Sequence, residues 1–135
     1  MNRKKIVVKQ YPNTIKCAIC HTDITDLSKV YQPQDQLGVI CAECCQKFSD
    51  QDIVVILSLF VIYGGYFGKC EKQHFSLSEE LQKTIIEGRE LKDKEQIEEF
   101  NSYLLYRALI HGIGPDEFVK MLTSLLQNKE YGYFL

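Results

Sequence analysis

Apolar positions follow a helical spacing through the second half of the chain. The clearest stretch covers residues 94–111, where six apolar residues recur at i, i+3, i+7, i+8, i+11 and i+12 and form one continuous stripe. These residues are Ile97, Phe100, Leu104, Leu105, Ala108 and Leu109. Gly112 follows as a terminator, and Pro115 stands at the first position of a final helix. Together with a helix start at Ser78-Glu79-Glu80, the pattern predicts three helices after residue 77.

A second type of apolar pattern lies in the middle of the chain. The run Ile53–Tyr63 is apolar except for Ser58, and Ser49 or Asp50 can cap a helix before it. Since β-branched residues are frequent in this run, a buried strand is the alternative, but its length and the cap favour a helix. A helix that is apolar almost all round must be buried on several sides or shared with a partner. The glycine-aromatic segment 64–68 ends it, and its two aromatic residues are expected in the core or in a partner-binding loop.

Before residue 50 the pattern is short and rich in turns. Ile6-Val7-Val8 predicts an extended segment, and residues 29–31 and 38–40 predict a hairpin. A short helix is predicted to begin just after Cys41. The expected fold class is therefore α+β, with a small module that contains a short hairpin, followed by an α-helical bundle of about four helices.

Candidate chemistry is concentrated in two C-x-x-C pairs of this first module. Cys17-Ala18-Ile19-Cys20 is followed, after twenty residues, by Cys41-Ala42-Glu43-Cys44. Two such pairs at this separation are a strong signature of one tetrahedral zinc ion. Four thiolates leave no open coordination position, so the predicted ion is structural. The metal ligands are expected to be Cys17, Cys20, Cys41 and Cys44.

Several alternatives to this ligand set remain open at the level of sequence. The four thiols could be buried cysteines without a metal, or they could hold an iron–sulfur cluster. Cys45 could replace Cys44, and His21 is a weaker substitute for Cys20. Cys70 is far from these residues in sequence and is expected to be a free thiol, although Cys45 or Cys70 could also serve a redox-responsive switch.

The two C-x-x-C pairs, each of which is expected to form a turn called a zinc knuckle, carry a resemblance to a known family. Residues 15–50, in which Val39-Ile40 leads into Cys41-Ala42-Glu43-Cys44 and a helix, resemble a treble-clef zinc finger. They are similar to the N-terminal zinc-binding domain of the Clp-protease unfoldases, and also to one half of a LIM-type module. The resemblance implies a protein-contact or dimerisation module. It covers about a quarter of the chain, and unfoldase activity is not carried over because no ATPase domain follows.

Charge and composition change this picture little. The formal net charge is −2, which excludes a strongly basic nucleic-acid binder. Residues 1–16 nevertheless contain five basic residues and no acidic one, and such an arm can contact phosphates. Only Ile6-Val7-Val8 follows the charged start, which is too short for a signal peptide core, and the longest apolar run, Ile53–Tyr63, is too short for a membrane span. A cytoplasmic location with reduced thiols is therefore expected.

No arrangement of residues indicates catalysis. Segment 63–70 is similar to a phosphate-binding loop, but Tyr63 stands at the first glycine position and Cys70 replaces the hydroxyl residue. We therefore expect no enzyme and no small-molecule substrate. The sequence predicts a zinc module at residues 1–50 and a helical domain at 51–135 that packs on it. The predicted function is a protein-interaction or adaptor module, which can self-associate; a small nucleic-acid-binding regulator that uses the basic arm is the alternative.

Overall fold

A computed structural model describes residues 3–5, 15–26, 28, 30–33, 38–86 and 93–127. The chain divides into two compact units, the first unit, Met1–Phe67, and the second unit, Gly68–Leu135. The described strands are β1 (Arg3–Lys5), β2 (Ile15–Lys16), β3 (Asp23–Ile24), β4 (Val30–Pro33) and β5 (Ile40–Cys41). The described α-helices are α1 (Ala42–Lys47), α2 (Asp50–Tyr63), α3 (Leu77–Ile86), α4 (Lys94–Ile110) and α5 (Pro115–Leu126).

The strands of the first unit form two small antiparallel sheets. One sheet has the order β1-β4-β5, and the other pairs β2 with β3. Val30 pairs with Cys41 and Tyr31 with Ile40, which confirms the predicted hairpin. The predicted extended segment Ile6-Val7-Val8 lies outside the described residues. Since every described strand is only two to four residues long, the sheets need support from elsewhere in the unit.

The apolar run in the middle of the chain is helical, so the buried-strand alternative is wrong. The Ser49 hydroxyl caps α2 by accepting a hydrogen bond from the backbone N–H of Asp52 at 3.1 Å. Gly64 ends the helix with φ of 79°, a conformation that glycine adopts without steric cost. The buried face of α2 consists of Ile53, Ile56, Leu57, Leu59 and Phe60.

The second unit is built on three helices that share one apolar cluster. The stripe predicted for residues 94–111 is confirmed, since four of its six members are buried and Ile97 and Leu105 are half-buried. The cluster consists of Phe75, Leu77, Leu81, Phe100, Leu104, Ala108, Ile113 and Phe118. Leu105 of α4 and the partly buried leucines and methionine of α5 pack against it.

The end of α4 is closed by backbone hydrogen bonds. Ile113 donates to the carbonyl of Ala108 and Gly112 to that of Leu109, which is the Schellman pattern of helix termination. The N–H groups of Gly68 and Cys70 donate to the carbonyls of Leu109 and Ile110. These bonds satisfy acceptors that a helix terminus otherwise leaves without partners.

The predicted fold class, a small β-containing module followed by helices, is confirmed. The compact units divide after Phe67, so α2 belongs to the first unit, whereas the sequence prediction assigned residues 51–67 to the helical domain. Packing of the helical domain on the zinc module stays a prediction.

Candidate metal centre

Four thiols of the first unit lie close together. The sulfurs of Cys17, Cys20, Cys41 and Cys44 are all within 4.8 Å of one another. The Sγ atoms of Cys20 and Cys41 are 3.8 Å apart. Cys17 and Cys44 are buried, while Cys20 and Cys41 are half-buried. The structure thus brings together the four cysteines that the spacing predicted, although ligation itself stays a prediction.

The first knuckle is a tight turn between β2 and β3. The N–H of Cys17 donates to the carbonyl of Thr22, and the N–H of His21 donates back to the carbonyl of Cys17, each at 2.9 Å. His21 has φ of 65°, a left-handed conformation that is uncommon outside glycine and that closes the turn. This geometry holds the Cys17 and Cys20 side chains on the same side of the turn.

The second knuckle is formed where β5 becomes α1. Cys41 is both the last residue of β5 and the N-cap of α1, and Cys44 follows in the first helical turn. The Cys41 sulfur accepts a hydrogen bond from the backbone N–H of Cys44 at 3.4 Å. One local transition from strand to helix therefore presents two sulfurs.

A glycine lets the two knuckles approach each other. The N–H of Ala18 donates to the carbonyl of Val39 at 2.7 Å, which ties the first turn to the segment that leads into the second. Gly38 has φ of +100°, and a Cβ at this position would lie 2.9 Å from the Cβ of Ala18. Both the backbone conformation and the lack of space require glycine here.

The crowded thiols have strongly perturbed proton affinities. The hydrogen bond that Cys44 donates lowers the pKa of Cys17 to about 4; burial opposes this, and backbone N–H groups, including those of Ile19 and Cys41, support it. Burial raises the pKa of Cys41 to about 11, and the Cys17 charge adds to this. The hydrogen bond to Cys17, then burial, raises the pKa of Cys44 far above its usual range. The Cys17 sulfur therefore accepts a hydrogen bond from the Cys44 thiol, which keeps its proton.

The dimensions of the cluster suit a single metal ion. With metal–sulfur bonds of about 2.3 Å, a tetrahedral zinc site has sulfur–sulfur edges of about 3.8 Å. The Cys20–Cys41 distance has this value, and the 4.8 Å bound leaves little room for a cluster of several irons and sulfides. A divalent ion would also replace the protons of Cys41 and Cys44 and compensate the charge of the resulting thiolates. The residues present therefore fit a four-coordinate ion.

The alternative ligands are placed differently. The cluster of four sulfurs includes Cys44 but not Cys45, which is half-buried on α1. The ring of His21 is stacked on Tyr66, with centroids 4.5 Å apart and an interplanar angle of 13°. Cys70 belongs to the second unit and is half-buried there. These positions favour the four-cysteine set.

Sequence reasoning missed several residues that surround the thiols. The Thr22 hydroxyl lies 3.2 Å from the sulfur of Cys20, and the N–H of Phe67 donates to the carbonyl of Ile19 at 2.6 Å. Lys47 lies over the ring of Phe67, with its Nζ 4.5 Å from the centroid. The glycine-aromatic segment was the available signal, but nothing in its spacing shows that it returns to the first knuckle.

The basic arm is only partly described, and its predicted contact with nucleic acid stays a prediction. Lys16 forms a 2.7 Å ion pair with Asp23, so part of the charge of the arm is compensated inside the first unit. Among the described helices, none is long and apolar enough to cross a membrane.

Comparison with known proteins gives no family for this chain. No family model, no curated protein and no solved structure matches it. The class that the fold and site define is thus an α+β protein with a four-cysteine cluster able to hold a metal ion. The resemblance to the zinc-binding domain of the Clp-protease unfoldases rests on residues 15–50 alone.

Proposed function

We propose that this protein is a zinc-stabilised, non-catalytic protein-interaction module, whose partner binds the polypeptide rather than the metal. The observation that carries the proposal is the closed cluster of four sulfurs within 4.8 Å. A tetrahedral ion bound by four protein thiolates has no position left for water or substrate, unlike a catalytic zinc site with three protein ligands. The metal therefore acts by holding the first unit together.

Zinc is the ion that this donor set favours. Four thiolates in tetrahedral geometry select zinc or iron among the common metals, and the size of the cluster favours one ion over an iron–sulfur cluster. We place the protein in the cytoplasm, where a reducing environment keeps thiols available as ligands. Metal analysis of the purified chain should give one zinc per chain and no iron or sulfide.

The order of elements supports a treble-clef arrangement. A knuckle in the β2–β3 turn, the β4–β5 hairpin and a helix that begins at the second knuckle follow one another along the chain. Such an arrangement uses the metal to tie short elements together. The exposed apolar residues of α2, in the same unit, offer a contact surface, since Val61 and Ile62 are 73% and 70% exposed.

A partner capture with and without a zinc chelator tests the proposal. The tagged full chain is used as bait in a lysate of its native cells, followed by reconstitution with each purified candidate. We expect a direct complex that is lost on chelation and restored by zinc. The Cys20→Ser variant should lose both the metal and the partner.

A cysteine outside the cluster provides the matched control. Cys70→Ser removes a thiol of the second unit and should leave zinc content and partner binding unchanged. A reconstituted complex that persists after zinc is removed would place the interaction outside the metal-dependent unit and contradict the proposal. A turnover activity that requires the metal would contradict its non-catalytic part.

A further inference from the structure

We infer that Cys20 is a site of reversible oxidation, where a hydroperoxide starts the formation of a disulfide with Cys41 that takes two sulfurs away from the metal site. This inference rests on the proposed function, since it describes how the same metal-stabilised unit is regulated. Two observations carry it. The four clustered cysteines differ in exposure, and the two accessible ones have their sulfurs 3.8 Å apart.

Exposure divides the four candidate ligands into two pairs. Cys17 and Cys44 are buried, at 1% and 3% exposure, whereas Cys20 and Cys41 are half-buried. All four must be thiolates to bind a metal ion, so their charge state does not distinguish them. The oxidation of a cysteine depends on its thiolate character and on its exposure. A dissolved oxidant therefore reaches the half-buried pair first.

Hydrogen bonds distinguish the two members of the accessible pair. The Cys41 sulfur accepts a hydrogen bond from the backbone N–H of Cys44 at 3.4 Å. In the part of the chain that the structure describes, the Cys20 sulfur has polar contacts with two side chains, the Thr22 hydroxyl at 3.2 Å and the Cys41 sulfur. A backbone N–H that donates to a thiolate stabilises its charge and lowers its nucleophilicity. Cys20 is therefore the expected nucleophile, and the exposed Thr22 places its sulfur at the surface.

The reaction with hydrogen peroxide takes two steps on sulfur. The Cys20 thiolate attacks one peroxide oxygen, so that an S–O bond forms, the O–O bond breaks and hydroxide leaves, and the sulfur is oxidised to a sulfenic acid. The Cys41 thiolate then attacks the Cys20 sulfur, so that an S–S bond forms, the S–O bond breaks and a second hydroxide leaves. Two thiolates and one peroxide thus give one disulfide and two hydroxide ions.

Cys41 is well placed for the second step. Its sulfur needs to move about 1.8 Å closer to that of Cys20 to reach the S–S bond length of about 2.05 Å. The competing sulfur in the first knuckle, that of Cys17, is buried and accepts hydrogen bonds from the N–H groups of Ile19 and Cys41, both at 3.4 Å. These bonds make Cys17 the weaker nucleophile. The disulfide is therefore expected to join the two knuckles and not to close the first one.

The disulfide changes what the first unit can bind. It consumes two of the four donor atoms, and Cys17 and Cys44 alone cannot complete a tetrahedral four-sulfur site. The unit then loses the ion that stabilises its partner-binding form. Because the new bond itself joins the two knuckles, the four sulfurs stay near one another, and thiol reductants of the cytoplasm can restore the four-thiol site. Partner binding should therefore follow the oxidation state.

Stepwise titration of the zinc-loaded full chain with hydrogen peroxide tests the inference. Zinc release, read with a colorimetric chelator, should reach one ion for each peroxide consumed. Mass spectrometry of peptides, after alkylation of the remaining thiols, should identify Cys20–Cys41 as the first disulfide. Reduction followed by added zinc should restore the original metal content.

Two ligand variants separate the roles of the two cysteines. Histidine is also a zinc ligand, so Cys20→His and Cys41→His can keep the metal while each removes one reactive sulfur. Cys20→His should retain its zinc at the peroxide concentration that empties the native chain. Cys41→His should accumulate a sulfenic acid at Cys20, which a dimedone probe labels.

A cysteine outside the cluster provides the matched control. Cys70 is half-buried, as Cys20 is, so exposure alone would make the two equally susceptible. A thiol that binds no metal is in general only a few per cent thiolate at pH 7. Cys70→Ser should therefore release zinc at the native rate and give the same first disulfide.

The inference and the proposed function fail separately. A first disulfide that involves Cys17 or Cys44, or zinc release from Cys20→His as fast as from the native chain, overturns the inference. A native chain that keeps its zinc while peroxide modifies Cys70 also overturns it. The proposed function still stands in each of these cases, whereas a purified chain without zinc contradicts the proposed function itself. If neither histidine variant retains metal, the disulfide map of the native chain decides the question.

Discussion

The two units of this protein combine different stabilising interactions. In the first unit, strands of two to four residues and the six-residue α1 accompany four clustered sulfurs, and the 14-residue α2 adds five buried apolar side chains. In the second unit, helices of 10, 17 and 12 residues share one cluster of eight buried apolar side chains. Elements as short as those around the sulfurs are marginal by themselves, whereas long amphipathic helices gain their stability from the packing of one apolar face.

One chain can thus have two separate sources of stability. A structural zinc ion contributes about 10–16 kcal/mol of apparent binding free energy, which equals or exceeds the net stability of a typical domain at about 5–15 kcal/mol. We therefore expect the first unit to depend on metal and the second to be independent of it. Metal removal, acidification and single substitutions in each unit test this difference, with expected effects that decrease in that order.

Metal removal should have the largest effect. Chelation, or Cys17→Ser, should unfold β2 to α1 in the first unit and leave α3, α4 and α5 folded. The reason is that the unfolded chain has no preformed metal site, so binding energy is folding energy. Amide hydrogen exchange read by mass spectrometry can follow both units in one experiment. Loss of protection in α4 on chelation, or Cys70→Ser acting like Cys17→Ser, would contradict the division.

Acidification should weaken zinc binding steeply. Ordinary thiols have a pKa near 8.5, so an unfolded metal-free unit carries about four protons on these cysteines at pH 7, and zinc must displace them all. The zinc affinity should then fall about 10,000-fold per pH unit below pH 7.

If the metal-free cluster stays folded, zinc binding releases fewer protons than it does from an unfolded unit. Since the pKa of Cys17 is lowered to about 4 there, this thiol has already lost its proton at pH 7, and at most three of the four thiols can release one. Calorimetry in buffers of different ionisation enthalpy counts the protons. A count of three or fewer would show that the cluster persists without metal, against the first prediction.

A cavity in the apolar cluster should destabilise the second unit alone. Leu104 is 1% exposed, and Leu104→Ala should cost about 2–5 kcal/mol through lost burial and the cavity left behind. Zinc content should stay at one per chain, and α4 should lose exchange protection before α1 does. Val119→Ala, at an exposed position on α5, serves as control and should change the free energy of unfolding by less than about 0.5 kcal/mol. Zinc loss in Leu104→Ala would show that the units are not independent.

Gly38→Ala should have the smallest effect of the series and should act on the first unit. The new Cβ would lie 2.9 Å from that of Ala18 and push the two knuckles apart, in addition to the strain of a positive φ. Strained backbone of this type costs about 1–3 kcal/mol. Gly64→Ala is the matched control, since Gly64 has a similar φ of +79° and nothing within 4 Å of its Cβ. A larger loss of zinc affinity in Gly38→Ala than in Gly64→Ala is expected, and equal losses would contradict a role for close approach.

Local patterns were sufficient for the helices. The α4 stripe, the Ser49 cap and the proline at the start of α5 each act within a few residues, and all three predictions are confirmed. The extent of α2 followed in the same way. Local patterns do not give the boundary between the two compact units. That boundary depends on which residues α2 packs against, and a helix that is apolar almost all round does not specify those residues.

The sequence by itself determined the element types and the four candidate thiols, because helix periodicity, capping and C-x-x-C spacing are short-range properties of the chain. Only the tertiary structure decided which residues surround those thiols and which face of α2 stays exposed. Tyr66 stacking on His21 and the contact of Gly38 with Ala18 join residues that are distant in sequence. Such contacts depend on the folded path of the backbone, and no local preference of either residue encodes them.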